Sequence, residues 1–203
     1  MLLQTVAIVI SYLLGSISFS VLFGRLLKGV DIRQHGSGNA GATNTLRVLG
    51  KGPAIMVLVL DVLKGVLAVW IGHWLGGDSE WLPALTGIAA IIGHNWPIYF
   101  NFRGGKGIAT AIGVLASIAL IPALLAGVIA ILSIVITRFV SLGSLIFVIL
   151  TPWMMLVLGY PWPLFWSGVI ICLFAVWRHR TNIVKLMKGQ ENKLGSKGGN
   201  HRV

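Results

Sequence analysis

Acidic residues and cysteines are scarce in this sequence, and their scarcity excludes several kinds of chemistry. Five Asp and Glu residues occur among 203 positions, and the one cysteine, Cys172, lies in an apolar run. A disulfide within the chain is therefore impossible, and no Cys/His cluster with metal-ligand spacing is present. The G-x-S-x-G nucleophile motif is also missing. We expect no metal ion and no cofactor, and a chemistry that depends on anion binding and positioning.

Charge of either sign is scarce as well, which excludes an ordinary soluble domain. Charged residues make up 10% of the chain, against about 25% in typical soluble proteins. Hydrophobic residues make up 56%, and the mean hydropathy is +0.89. The net charge of +11 resides in short loops between apolar segments, as the positive-inside rule describes, so nucleic-acid binding is not predicted. The sequence predicts an integral membrane protein.

The apolar runs predict an all-α bundle of transmembrane helices. A bilayer crossing needs roughly 20 residues, and the run 108–137 would be about 45 Å long as one helix, so we expect it to break near Pro122. The result is seven short helices with the N-terminus outside and the basic C-terminal tail inside. Five crossings is the alternative. The runs lie at about 2–24, 53–75, 82–100, 108–137, 139–158 and 162–177.

One transmembrane domain is expected over residues 1–192, followed by a disordered cytoplasmic tail over 193–203. Polar side chains within the apolar runs fit structural roles in that domain. Ser11, Gly15 and Ser18 fall on one helix face and predict close helix packing. Asp61 and Lys64 are three residues apart and predict an ion pair within the second apolar run.

The most unusual polar segment is GSGNAGATNTLRVLGK, residues 36–51, which lies between two apolar runs. Glycines let backbone N–H groups approach a ligand, and successive N–H groups in a tight loop can bind an anion. Arg47 adds a planar, permanently charged group suited to phosphate. We expect contacts to a phosphorylated substrate from Ser37, Gly38, Asn39, Thr43, Asn44 and Arg47.

A second segment, GHNWPIYFNFRGGKGIAT at residues 93–110, has the same character. Gly104 and Gly105 precede Lys106 shortly before an apolar helix, so backbone N–H groups and an ammonium group form a candidate anion site. The segment is not a nucleotide-binding P-loop, because no Ser or Thr follows the lysine. His94 is interpreted as structural.

The third segment begins at the inner end of the last apolar run. His179 and Asn182 are three residues apart and are expected on one helix face, whereas Arg178 and Arg180 are expected to point elsewhere as membrane-edge cations. Glu191, the one acid of the tail, is a candidate clamp for a cation or a helix end. With seven crossings all three segments face the cytoplasm, and this convergence predicts a single site.

Together these segments resemble the bacterial membrane family of acyl-phosphate:glycerol-3-phosphate acyltransferases. The resemblance covers nearly the whole chain and rests on GSGNAGATNTLRVLGK, LDVLKG at 60–65, GHNWPIYFNFRGGKGIAT and HRTNIVKLMKGQEN. It implies transfer of a fatty acyl group from acyl phosphate to the sn-1 hydroxyl of glycerol 3-phosphate, which gives lysophosphatidate and phosphate in the first step of phospholipid synthesis. It also implies that the site contains Ser37, Thr43, Arg47, Lys106, His179 and Asn182.

The residue chemistry fits that reaction, because both substrates carry phosphate and one has a lipid tail. A basic, glycine-rich site at the cytoplasmic boundary of the cell (inner) membrane suits both. We expect Ser37 and nearby N–H groups to hold the acyl phosphate, while Arg47 and Lys106 neutralise phosphate charge. His179 and Asn182 would orient glycerol 3-phosphate. The general base is either His179 or the departing phosphate.

A membrane transporter or channel for a phosphorylated metabolite is the alternative function. It accounts for the basic inner surface and for the Asp61/Lys64 pair. Transport sites lie near the bilayer midplane, however, whereas the three segments are expected at one membrane face. No protein partner is predicted.

Overall fold

The computed structural model describes residues 1–77, 79 and 81–195. Regular structure in this part of the chain is entirely helical, which confirms the predicted all-α fold. Short 3-10 turns lie at Ile32–Gln34 and Ile98–Phe100. The α-helices are α1 (Leu2–Gly15), α2 (Phe19–Lys28), α3 (Ala42–Leu49), α4 (Lys51–Gly76), α5 (Trp81–Asn95), α6 (Ile108–Ile118), α7 (Leu120–Thr137), α8 (Val140–Val157), α9 (Trp162–Arg178) and α10 (Arg180–Met187).

The number of spanning helices differs from the predicted seven. Among the described residues, four helical stretches are long and apolar enough to cross a membrane: α1 with α2, α4, α7 and α8. A fifth is obtained if α9 and α10, which meet at a bend of 63°, count as one span. α5 has 15 residues and α6 has 11, so they extend about 22 Å and 16 Å against a bilayer core of about 30 Å. The upper count of five spanning stretches equals the alternative number of crossings that the sequence predicted.

The long apolar run 108–137 does break, but slightly before the expected position. Ala119 leaves the helical conformation, with φ −152° and ψ 69°, between α6 and α7. Pro122 then lies in the first turn of α7, where the missing N–H group of a proline leaves no helical hydrogen bond unmade. The proline therefore starts the second helix and does not interrupt the first.

Glycines allow the closest contact between α4 and α6. A Cβ atom on Gly113 of α6 would overlap the carbonyl oxygen of Val62 in α4. In the reverse direction, a Cβ on Gly65 of α4 would overlap the carbonyl oxygen of Thr110 in α6. The two backbones therefore touch directly, as in other membrane helix pairs with small residues at the interface. This contact fixes the start of α6 against α4.

The predicted packing face of the first helix is confirmed for Ser11 and Gly15, which are buried in α1. Ser18 is buried as well, but it lies in the extended break before α2 and not on the helix face. A Cβ on Gly15 would overlap the backbone of Ala90 in α5, so α1 lies directly against α5. The C-terminal end of α5, which leads into the second polar segment, is thereby held in the interior of the bundle.

The described end of the chain contacts the turn between α7 and α8. The Leu194 N–H donates to the Arg138 carbonyl at 2.7 Å, and the Arg138 guanidinium donates to the Leu194 carbonyl at 2.7 and 3.2 Å. The predicted disordered tail continues into residues 196–203, which lie outside the described residues. The domain boundary at residue 192 stays a prediction.

We expect Gly113→Ala to destabilise the bundle. The new methyl group must push α4 and α6 apart, and overpacking of this kind costs about 1–3 kcal/mol of unfolding free energy. Thermal unfolding in detergent, followed by circular dichroism, should show a lower midpoint.

Gly127→Ala in α7 is the matched control. Apart from the adjoining residues and backbone of its own helix, no described atom lies within 4 Å of a Cβ at this position, and alanine forms helices better than glycine. Its midpoint should equal or exceed that of the unsubstituted protein. Equal midpoints for the two variants would contradict the α4–α6 backbone contact.

Candidate active site

The loop before α3 is closed by one buried asparagine. The Asn44 side chain accepts a hydrogen bond from the Ser37 N–H at 2.8 Å and donates to the carbonyls of Ile32 and His35, each at 3.0 Å. Gly36 adopts a φ of 61°, and a Cβ there would overlap Asn44 Oδ1. The expected substrate contact from Asn44 is therefore wrong, because its amide already binds the backbone of the loop.

Closing the loop in this way leaves its other polar groups open. Ser37 and Gly38 are exposed, and Asn39 and Thr43 are partly buried. Arg47 lies in the last turn of α3 and is exposed. Within the described part of the chain, the side chains of these four non-glycine residues make no hydrogen bond or ion pair. They are available to a ligand.

The glycine–lysine segment 104–107 is held by an arginine from the last spanning helix. The Arg178 guanidinium donates to the Gly105 carbonyl at 2.6 and 3.0 Å and to the Gly104 carbonyl at 3.2 Å. The expectation that Arg178 points elsewhere is wrong. The contact lies more than seventy positions away along the chain, so neither local spacing nor hydropathy signals it.

Lys106 lies between the second and third segments. Its ammonium donates to the side-chain carbonyl oxygen of Asn182 in α10. Burial lowers the pKa of Lys106 to about 8, and the positive charges of Arg178, Lys185 and Arg47 act in the same direction against the opposing effect of Glu191. The ammonium therefore lies among more cations than anions, and a bound anion would stabilise its charged form.

His179 lies at the junction of α9 and α10 and not within one continuous helix, so the expected helical face with Asn182 is wrong. The side chain is 3% exposed, and its Nδ1 lies 2.8 Å from the Ala175 carbonyl. Because a carbonyl oxygen only accepts, Nδ1 carries the proton and Nε2 keeps a lone pair. Burial, together with the charge of Lys106, lowers the pKa of His179 to about 4. The ring is neutral at pH 7.

Asn182 is oriented by Glu191, the acid predicted to act as a clamp. Its amide N–H donates to Glu191 Oε1 at 2.8 Å, and the Ser141 hydroxyl donates to the same oxygen at 3.0 Å. A chain of hydrogen bonds therefore runs from Lys106 through Asn182 and Glu191 to α8. The isolated position of Glu191 in a basic tail was the available signal, and its predicted clamping role fits this geometry.

The three predicted segments touch one another at one end of the bundle. A Cβ on Gly105 would overlap the carbonyl oxygen of Ala40, so the first segment lies against the second. Lys106 and Arg178 connect the second segment to the third. The three therefore meet at one site whatever the number of membrane crossings.

An ion pair before the first segment braces it against the second, and the sequence analysis missed it. Arg33 pairs with Asp31 at 2.6 Å and donates to the carbonyls of Phe100 at 2.7 Å and Arg103 at 3.2 Å. The hydrogen bonds from Arg33 lower the pKa of Asp31 to about 2, so the carboxylate stays charged. The Asp-x-Arg spacing was visible, but its partners lie in a distant loop.

The predicted pair within the bundle is confirmed: Lys64 Nζ lies 2.7 Å from Asp61 Oδ1. Among the described residues, no group of three or more His, Cys, Asp or Glu side chains is arranged to hold a metal ion. The groups that the site offers to an anion are therefore the side-chain cations and the backbone N–H groups.

Curated relatives share this sequence over almost its full length. The chain is 62% identical over 192 residues to a glycerol-3-phosphate acyltransferase of Halalkalibacterium halodurans, covering 92% of this chain and 93% of the relative. It is 55% identical over 203 residues to the enzyme of the same description from Shouchella clausii, covering 97% and 99%.

A solved structure shares the fold. The crystal structure of PlsY (YgiH), an integral membrane glycerol 3-phosphate acyltransferase, in its glycerol 3-phosphate form superimposes with a TM-score of 0.90 at 38% identity, covering 95% of this chain and 96% of that one. Its lysophosphatidic acid form gives a TM-score of 0.87 at 37% identity, covering 96% and 97%. The family model for glycerol-3-phosphate acyltransferase matches residues 5–189. This chain belongs to the glycerol-3-phosphate acyltransferase family of integral membrane proteins.

Proposed function

We propose that this protein transfers a fatty acyl group from acyl phosphate to the sn-1 hydroxyl of glycerol 3-phosphate. The products are 1-acylglycerol 3-phosphate (lysophosphatidate) and inorganic phosphate, in the first step of phospholipid synthesis. Membership of the family supports the acceptor and the reaction class. The glycerol 3-phosphate and lysophosphatidic acid forms of PlsY support the same acceptor and lipid product here.

The observation that carries the proposal is the contact of three anion-binding segments around Lys106. Arg47, Lys106 and Arg178 bring positive charge to one end of a membrane bundle, and the uncapped N-terminus of α6 begins directly after Gly107. A helix N-terminus with free backbone N–H groups favours phosphate. A water-soluble phosphate and a lipid phosphate can therefore approach the same place from opposite directions.

An acyl phosphate donor fits a site of this composition. The donor is a mixed anhydride, so the sn-1 oxygen forms the new ester bond as the bond between the acyl carbon and the phosphate oxygen breaks. The leaving group departs as phosphate and needs no metal. Alignment of the two substrates and neutralisation of phosphate charge then supply the main catalytic contributions.

We assign roles to the available side chains on this basis. Ser37, with the N–H group of Asn39, holds the acyl phosphate, and Thr43 adds a hydroxyl beside it. Gly38 lies between them, but its N–H already donates to the His35 carbonyl at 3.1 Å. Arg47 and Lys106 neutralise phosphate charge, with the Gly104 and Gly105 backbone nearby. Asn182 orients glycerol 3-phosphate together with His179.

The neutral imidazole of His179 fits an orienting hydrogen bond better than a strong base. A general base works best with a pKa near the working pH, whereas the pKa of His179 is lowered to about 4. Its Nε2 lone pair accepts a hydrogen bond from the sn-1 hydroxyl. The proton itself passes to the departing phosphate.

We infer that the active site faces the cytoplasm from the cell (inner) membrane. The segments that form it are rich in Lys and Arg, and such loops remain on the cytoplasmic side. Glycerol 3-phosphate is water-soluble and reaches the site from the cytoplasm, and the acyl chain reaches it from the bilayer.

The donor is tested with protein purified in detergent and labelled glycerol 3-phosphate. We expect lysophosphatidate from acyl phosphate and none from acyl-CoA, and a purely transporting protein would form no product. Lys106→Ala should reduce turnover at least about a hundredfold, as does removal of other preorganised charge-stabilising groups. Lys188→Ala, which removes an exposed cation directly after α10, should retain full activity. Turnover with acyl-CoA alone would overturn the donor assignment.

The pH dependence of kcat/KM for glycerol 3-phosphate tests the role of Lys106. In the free enzyme Lys106 loses its charge as the pH rises through about 8, so kcat/KM should fall there. In Lys106→Arg the guanidinium stays charged through this range, and the fall near pH 8 should disappear even if the maximal rate is lower. An identical fall in both enzymes would assign it to another group.

His179→Gln tests whether the histidine is the base. Because we assign it an orienting role, we expect a loss in kcat of roughly tenfold, below the 10²–10⁴-fold contribution of general acid–base catalysis. The pH–rate profile should keep its shape. A loss above a thousandfold, with a changed profile, would make His179 the base.

A further inference from the structure

Three polar side chains meet in the interior of the bundle beneath the glycine–lysine segment. Asp61 and Lys64 of α4 are each 1% exposed, and His94 of α5 is 6% exposed. The Lys64 ammonium donates to the Ile17 carbonyl and to His94 Nδ1, each at 2.9 Å, and forms an ion pair with Asp61 Oδ1 at 2.7 Å. Burying charge within a membrane costs free energy. The opposite charges of Asp61 and Lys64 already balance each other without a contribution from His94.

The Lys64 ammonium determines which nitrogen of His94 faces the candidate site. An ammonium only donates, so His94 Nδ1 accepts and the ring proton lies on Nε2. Nε2 is the atom directly against Gly105, because a Cβ on Gly105 would overlap it. The His94 carbonyl also accepts a hydrogen bond from the Gly105 N–H at 3.1 Å. His94 therefore supports the segment with both its ring and its backbone.

Arg178 also holds this segment, because its guanidinium donates hydrogen bonds to the carbonyls of Gly104 and Gly105. Neither glycine has a side chain that could fix its own position. The position of this backbone, and with it the position of the adjoining Lys106, therefore depends on the contacts that His94 and Arg178 make with it.

We propose that Asp61, Lys64 and His94 are positioning residues that hold the Gly104–Lys106 segment in the position needed to bind the phosphate of glycerol 3-phosphate. The inference rests on the proposed function, in which Lys106 neutralises phosphate charge, and it assigns the phosphate of glycerol 3-phosphate to that lysine. The ion pair fixes the imidazole, the imidazole supports Gly105, and Gly105 fixes the start of Lys106. Loss of the imidazole leaves a space into which the glycine backbone can move away from the substrate.

His94→Asn tests this support while keeping the partner of the ion pair. The asparagine Oδ1 takes the place of Nδ1 and accepts from Lys64, but no atom remains at the position of Nε2. Titration calorimetry of the detergent-purified protein with glycerol 3-phosphate measures binding without an acyl donor. We expect the dissociation constant to rise at least tenfold.

Val69→Ala is the matched control for a general loss of packing. Val69 lies on α4 and is fully buried, so its truncation should lower the midpoint of thermal unfolding. The dissociation constant for glycerol 3-phosphate should stay unchanged. An equal weakening of binding by Val69→Ala and His94→Asn would reduce the role of His94 to stability and overturn the inference.

The double variant Asp61→Asn/Lys64→Met tests whether the three side chains act as a unit. It removes both charges together and leaves no unpaired ion in the bundle. We expect weaker binding here too, and adding His94→Asn should weaken it by less than the product of the separate effects. Multiplicative effects would show that the pair does not act through the imidazole.

The possible failures are distinguishable. Normal binding by His94→Asn would overturn this inference and leave the proposed function intact. A lack of binding by the unsubstituted protein would overturn the assignment of the phosphate to Lys106, and this inference with it. A protein that binds glycerol 3-phosphate but does not use acyl phosphate would contradict the donor alone.

Discussion

The hydrogen bonds from Arg178 to the Gly104 and Gly105 carbonyls are the interaction on which the site depends. They join α9 to the backbone at Gly104 and Gly105, two residues that have no side chains with which to make that connection. Hydrogen bonds to a charged group are worth roughly 1.5–3 kcal/mol each, and more is lost if a buried carbonyl is left unpaired. With α9 held in this way, Asn182 comes within reach of Lys106, and the third segment becomes part of the site.

The same arrangement leaves the unliganded site with an excess of positive charge. Lys106 lies near Arg178, Lys185 and Arg47, and Glu191 is the acid that opposes them. Burial and these cations hold the pKa of Lys106 well below its usual value, so the fold bears an electrostatic cost that an anion would relieve. An anionic substrate therefore gains more here than on an exposed basic surface, and two phosphates gain more than one. This excess of positive charge supports the proposal that the acyl donor carries a phosphate.

Hydropathy and local spacing predicted the membrane fold, the packing face of Ser11 and Gly15, the Asp61–Lys64 pair and the three segments, because each of these depends on neighbours along the chain. They did not predict the role of Arg178, whose partners are distant in sequence, or the structural use of Asn44, whose amide is needed by its own loop. The predicted seven crossings exceed the four or five stretches that are long and apolar enough to span, whereas the alternative of five equals the upper count. Hydropathy does not show that α6 ends at Ile118 or that α5 ends at Asn95, because the apolar runs continue past the ends of these short helices.

The glycines around Lys106 illustrate how the structure changes an interpretation that the sequence alone permits. Backbone freedom and close approach to a ligand were the expected reasons for them. At Gly104 a Cβ would overlap the His94 carbonyl and crowd Pro97, and at Gly105 it would overlap His94 Nε2 and the Ala40 carbonyl. Here glycine is required because neighbouring elements fill the space on the protein side. The segment is therefore confined by its surroundings. The Gly105 N–H is used by the His94 carbonyl, and the confined backbone can hold the following N–H groups, at Lys106 and Gly107, in place for phosphate without a further loss of conformational entropy on binding.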